Sequence, residues 1–237
     1  MPEMENAVVV DFPLRGEWMA PNTPGKKIPS HGTNQLGQRY AIDLLQVDWG
    51  KSGMHFFNAS KLRYFLFGVP LDNCLCWGKE VHAPCEGRII EALDGQRERK
   101  RVHLLSDLFI VFKNAITFNP KKEGIGDQNK CLQPVLGNYI IMECKNKVFA
   151  MFAHLQKDSI RVSANQEVIK GEVLGKVGHS GNSTAPHLHF QLMDTSDLLV
   201  AKGVLFVFRE YELFKEGTWK TAYEEVPSDK DRIRYRL

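Results

Sequence analysis

Three stretches decide the reading: GNYIIMEC (residues 137–144), VFAMFAHL (residues 148–155) and GHSGNSTAPHLHFQL (residues 178–192). The first two are short, rich in β-branched and aromatic residues, and bounded by turn formers, which is the pattern of buried strands. The third opens on small turn-forming residues and runs into an apolar segment that carries His187 and His189 two positions apart. On a strand, residues i and i+2 project to the same face. Both imidazoles then point one way while Leu188 enters the opposite, apolar side.

Working outward, EVHAPCEGRIIE (residues 80–91) and residues 172–177 read as further short strands, and residues 159–170 with 171–178 follow the pattern of a glycine-turned hairpin. Strands at this spacing predict a mainly β barrel or sandwich in which no long helix is required. Residues 93–133 differ: the charged run GQRERKR is followed by the apolar LLSDLFIVF and the polar NPKKEGIGDQNK. We read this interval as an insertion between two core strands, with its mixed run Arg97 to Arg101 a solvated loop. From about Leu198 an apolar patch, GVLFVF, gives way to a charged tail expected to pack once and then trail across the surface. The organisation expected is an N-terminal segment (1–30), one functional domain (31–197, insertion about 93–133) and a C-terminal extension (198–237).

Composition excludes several classes. The chain has 237 residues, 43% hydrophobic and 25% charged, with Lys+Arg 31 against Asp+Glu 28, so a core can be buried and collagen, coiled coil and extensive disorder are ruled out. A net charge of +3 gives no pull toward nucleic acid, and none is expected as a partner. The most apolar runs, residues 64–70 and 204–208, fall far short of the roughly 18 to 20 residues of a membrane helix. Glu3 and Glu5 stand where a secretory signal carries basic residues, so no ordinary signal peptide is expected. The 5 Cys, odd in number, fit reduced thiols better than a disulfide framework. Cys74 and Cys76 would share one face of an extended segment, yet no second pair completes a tetrahedral site, which favours buried or idle thiols.

The 8 His are the chemistry to follow. Two neighbouring imidazoles divide labour readily, one binding a metal and the other acting as base or hydrogen-bond donor. Asp43 lies within the apolar run AIDLL, where a carboxylate is costly unless paired, hydrogen-bonded or bound to a cation. His154 closes the apolar strand FAHL, and His31 sits in the loop SHGT upstream of the acid. A His, an Asp and a His with one position left for water make the three-ligand arrangement of catalytic zinc.

The order His31, Asp43, His154, His187-Leu188-His189, with VHAPCEGRI, FAHLQKDSIRV and GHSGNSTAPHLHFQL around them, resembles the lysostaphin/LytM-type zinc metallopeptidases that cut peptide bonds in peptidoglycan. The resemblance spans about residues 12–193 and is most specific over 137–193. It implies the barrel-sandwich (duplicated hybrid motif) fold of that family, with the site in a groove on one sheet. Carried over by position, it makes Asp43 and His189 zinc ligands and His154 and His187 the catalytic imidazoles. The remaining ligand would be His31. In the compact family pattern the first His precedes the Asp by four positions, and here Arg39 occupies that place; Arg stays protonated and offers no lone pair. His31 lies twelve residues before Asp43, so the loop GTNQLGQRY has to fold back. The rivals are His55, His82, His103 and His179.

The implied reaction is zinc-assisted hydrolysis of a peptide or peptidoglycan substrate, with zinc lowering the pKa of its water to about 7. One of His154 and His187 would take a proton and one would hydrogen-bond the oxyanion, and the sequence leaves open which does which. Asn182, Ser183 and Thr184 could meet substrate backbone or form a plain turn. Two other classes compete: a silent binding or activator domain of the same fold, and a His phosphocarrier of related β fold, suggested by the V-x-A-P-x-x-G pattern at residues 81–87. The implied wall substrate stands against the missing signal, so the compartment stays open.

Overall fold

A computed structural model describes residues 7–117 and 130–236. In chain order the elements are β1 (Val8–Val10), β2 (Gly16–Asn22), β3 (Ile42–Leu45), α1 (Lys61–Phe67), β4 (Val69–Pro70), β5 (Glu80–His82), β6 (Gly87–Leu93), β7 (Arg101–Val102) and α2 (Leu104–Thr117). They continue as α3 (Gln133–Leu136), β8 (Asn138–Cys144), β9 (Phe149–Leu155), β10 (Glu167–Val168), β11 (Val173–Lys176), β12 (Leu188–Met193), β13 (Gly203–Val204), β14 (Phe206–Lys215), β15 (Thr218–Glu225) and β16 (Ile233–Tyr235). The fold is mainly β. Its centre is a 12-stranded mixed sheet in the order β1-β14-β16-β2-β3-β12-β9-β8-β6-β10, with β13 on β12 and β15 on β14.

Alternation along the central strands buries both faces of this sheet. Leu188, Phe190 and Leu192 of β12 and Phe152 of β9 join the larger core with Phe12, Trp18, Phe206 and Phe208. Met193, Met151 and Ala153 turn to the other face and a smaller core with Tyr139, Ile141 and Leu198. Each large side chain removed from water contributes about 1.5–3 kcal/mol, so these strands are fixed in register by what they bury. His189 and Gln191 share the face of Met193.

Several expectations change. The C-terminal residues do not trail: β14 pairs with β1, β15 and β16, and β16 pairs with β2, so the tail closes one end of the sheet. Phe206, Phe208 and Tyr211 are the reason, because their rings pack against Phe190 and Phe12 at centroid distances of 4.7–6.3 Å. Residues 159–178 form no hairpin; β10 pairs with β6 and β11 with β5. A 14-residue helix, α2, occupies the middle of the expected insertion, and residues 118–129 of that interval lie outside the described residues.

Candidate active site

Strands β3 and β12 pair antiparallel with Asp43 directly opposite His189. Asp43 Oδ1 lies 2.9 Å from His189 Nδ1, and its Oδ2 lies 3.0 Å from His31 Nε2. On the other side β2 places Asn22 opposite Asp43, and the Asn22 amide donates to Oδ2 at 2.8 Å. The loop carrying His31 folds back, closed by the Ser30 N–H donating to Arg39 O at 3.1 Å. Gly37, buried at φ +73, lets that loop lie on β12; a Cβ there would overlap the Met193 and Gln191 side chains. Arg39 donates to Tyr40 Oη and Asn34 Oδ1.

Hydrogen bonding on the far side of each imidazole fixes what faces Asp43. Gln191 Nε2 donates to Leu36 O at 2.7 Å, which leaves Oε1 to accept from the His189 Nε2–H at 2.9 Å. His189 Nδ1 then presents a lone pair to the carboxylate. The Ser30 hydroxyl donates to Gln38 O and accepts from His31 Nδ1–H at 3.0 Å, so His31 Nε2 presents a lone pair as well. Two lone pairs aimed at a buried carboxylate repel unless a cation lies among them. One ligand atom from each of His31, Asp43 and His189 lies within 4.8 Å of the others. With zinc–nitrogen and zinc–oxygen bonds of about 2.0–2.2 Å, this donor set fits a zinc ion. Among the described residues it is the one group of three or more His, Cys, Asp or Glu so arranged.

His154 and His187 complete the cluster, their ring centroids 4.8 Å apart. Strict alternation would send His154 to the larger core with Phe152. Instead β8 and β9 lose register between Asn138 and Ile140, and His154 adopts φ +62. This bulge turns the imidazole toward His187 and His189, a use of an irregular residue common at functional sites. His154 Nδ1–H donates to Ser180 O at 2.9 Å and His187 Nδ1–H to Ala185 O at 2.7 Å, so both rings carry Nε2 free for chemistry. His187 Nε2 lies 3.5 Å from Asp43 Oδ1.

Charge follows this geometry. Burial raises the Asp43 pKa, but the charge and hydrogen bond of His187 pull the other way, and the carboxyl is held well below its usual range. Burial, with His187 and His189, pushes His154 well below its ordinary value. Burial also opposes charge on His187, yet Asp43 and the Ala185 carbonyl together raise its pKa. A cavity of about 440 Å³ opens onto Asp43 and His187, lined also by Asn22, Met54 and Thr184.

The loop before His187 is held from behind by residues that sequence reading left on the surface. Arg99 pairs with the buried Asp107 of α2 at 2.8 Å and donates to His179 Nε2 at 3.1 Å and to the carbonyls of Gly181 and Ser183. His179 Nδ1–H donates to Ser183 Oγ at 2.9 Å, and Ser183 Oγ sits 3.3 Å from His187 Nδ1. Glu98 accepts from the backbone N–H groups of His179 and Lys157. The run RERKR is therefore no solvated loop at Glu98 and Arg99. Asn182 is tied to Asn114, which leaves Thr184 facing the cavity.

The other three histidines lie elsewhere. His55 is buried against Phe57, His82 Nδ1 donates to Gly171 O, and His103 precedes α2. Cys74 and Cys76 are buried thiols, each pushed up to about 12 by burial, and the Cys76 thiol donates to Pro186 O. All five cysteines are free.

Comparison with known proteins finds one segment, residues 125–200, that matches the model of peptidase family M23. That segment carries His154, His187 and His189, whereas His31 and Asp43 lie upstream of it. The peptidoglycan DD-endopeptidase ShyA of Vibrio cholerae is 37% identical over 60 residues, 25% of this chain and 14% of that protein. The DD-carboxypeptidase/endopeptidase Mpg of Neisseria meningitidis is 37% identical over 76 residues, 32% of this chain and 14% of that protein. The chain thus spans about a seventh of the length of these relatives. Among solved structures, the catalytic domain of the prophage-encoded M23 protein EnpA from Enterococcus faecalis covers 79% of this chain and 88% of that one, at 17% identity and a TM-score of 0.39.

Proposed function

We propose that the chain is a zinc metallopeptidase that hydrolyses peptide cross-links of peptidoglycan. The observation that carries this is the convergence of lone pairs from His31 and His189 on the buried Asp43 carboxylate, with two further imidazoles alongside. Zinc, when bound, supplies a Lewis acid that polarises a scissile carbonyl and acidifies water. His31, Asp43 and His189 would hold it, and Asn22 and Gln191 keep the ligands oriented. His154 and His187 are each anchored through Nδ1–H to a backbone carbonyl, so their Nε2 atoms are held in a fixed direction, with His187 at the cavity. One takes a proton from the attacking water and the other donates to the developing oxyanion, contributions of about 10²–10⁴-fold and about 3 kcal/mol respectively. No Ser or Cys nucleophile is required, so no acyl-enzyme forms.

The test is zinc content together with hydrolysis of a panel of cross-linked wall peptides. Wild type should bind about one zinc per chain and turn over at least one peptide; His31→Ala, Asp43→Ala and His189→Ala should lose both. His154→Ala and His187→Ala should keep the metal and lose turnover. Zinc binding without cleavage of any peptide would instead mark a binding or activator domain, and phosphate transfer from a phosphoenolpyruvate-derived donor to a His would mark a phosphocarrier.

A further inference from the structure

Among the described residues nothing covers an apolar face of helices α1 and α2. Leu62, Phe65 and Phe67 on α1 and Leu105, Phe109 and Phe112 on α2 are 52–69% exposed. They are no scatter of single residues. On α2, positions 105, 108, 109 and 112 follow i, i+3, i+4, i+7, which is one stripe of a helix, and it points to solvent while Asp107 points inward. The two helices flank an antiparallel ribbon, β4 with β7, pairing Val69 with Val102, so the end of α1 and the start of α2 stand side by side. An apolar patch of this continuity marks an interaction surface.

Charge selects the occupant. Lys61, Arg63, Lys100 and Arg101 are exposed beside the patch. Over residues 60–70 and 99–114 the one acidic side chain is Asp107, which is buried and paired with Arg99. Exposed Asp72 lies near Lys100, yet cations dominate the fringe, and a Phe/Leu face so bordered is the composition of a helix that lies in the interface of an anionic bilayer, its aromatic rings among the acyl chains and its Lys and Arg at the headgroups. Among the described residues no helix is long and apolar enough to cross a membrane, so α2 would lie along the surface.

We propose that the α1–α2 face docks the protein on an anionic lipid surface. The inference is independent of the peptidase reading. It is tested with the full chain by cosedimentation with phosphatidylglycerol and phosphatidylcholine vesicles. Binding should favour phosphatidylglycerol, weaken with salt, and fall about fivefold for each of Arg63→Ala and Lys100→Ala. Phe65→Ser/Phe67→Ser and Phe109→Ser/Phe112→Ser should abolish it while circular dichroism and zinc content stay as in wild type. The proposal fails if phosphatidylglycerol vesicles do not bind, or if the Phe variants bind as well as wild type. It also fails if sedimentation equilibrium shows a dimer that these variants dissolve, since a second copy would then own the face.

Discussion

Asp43 Oδ1 and His189 Nδ1 face one another 2.9 Å apart across paired strands, and Gln191, two residues along β12, decides which proton His189 carries. Partners of this kind typically set metal affinity by about 10–100-fold. Gln191→Leu should weaken zinc binding by that factor, and Gln191→Glu, which keeps an acceptor for Nε2–H but sets an oxygen against Leu36 O, by less. Competition against a chromophoric chelator measures both. Unchanged affinity in Gln191→Leu would mean that the tautomer is not set by this amide.

Gly137 stands at φ +75 where β8 begins, and a Cβ there would overlap the Ser180 hydroxyl. Ser180 accepts the Asn138 N–H, donates to Leu155 O, and offers its carbonyl to His154. Gly137→Ala should therefore destabilise by about 1–3 kcal/mol through overpacking and disturb His154 as well. Urea unfolding reads the first effect and kcat the second. A variant as stable as wild type would show that Ser180 gives way freely.

Arg99, half-buried, and Asp107, fully buried, form an ion pair eight residues apart that grips the loop leading to His187. Removing one partner of such a pair commonly costs about 3–5 kcal/mol, because the other charge is left in the interior. Arg99→Ala should show this loss in chemical unfolding. Arg99→Met/Asp107→Leu should recover much of it, yet still lower kcat, because the contacts to Gly181, Ser183 and His179 are gone. Full activity in the double variant would deny the pair any role in positioning His187.

Legibility in the sequence followed locality. His187, Leu188 and His189 are readable because a two-residue period is written in consecutive letters, and Asp43 because an acid in an apolar strand needs a partner. His154 was visible as a residue but not as a direction: regular alternation points it into the core, and the bulge that turns it arises from pairing with β8. Arg99 and Asp107 were hidden for a different reason. A charged run looks solvated until His179, 80 residues away, is seen to meet it. The strands β14 to β16 were missed likewise, since Phe206 and Phe208 find their partners at Phe12 and Phe190, not among their neighbours.

Cys85 and Cys144 bring their sulfur atoms to 2.8 Å. The hydrogen bond with Cys144 holds the Cys85 thiol below its ordinary value, while the same bond and burial push Cys144 up. The thiolate is the nucleophile, so near neutral pH iodoacetamide should label Cys85 ahead of Cys74, Cys76 and Cys144. Cys144→Ala removes the bond and should slow that labelling. Peptide mass mapping over time decides it, and equal rates in both proteins would mean that Cys144 does not tune Cys85.

Two imidazole lone pairs and a carboxylate held together in the fold form a cost that a cation relieves only in the folded chain. Zinc should therefore raise stability by mass action, about 2.7 kcal/mol at a free concentration of 100 times Kd. Part of this gain is offset by any affinity of the unfolded chain's histidines for the metal. Chelation should reverse it, and Asp43→Ala should show almost none, because the carboxylate joins the other two ligands. Thermal unfolding with and without zinc measures the difference. A Tm that zinc leaves unmoved in wild type would mean that the three groups are held by shared protons and do not form a metal site.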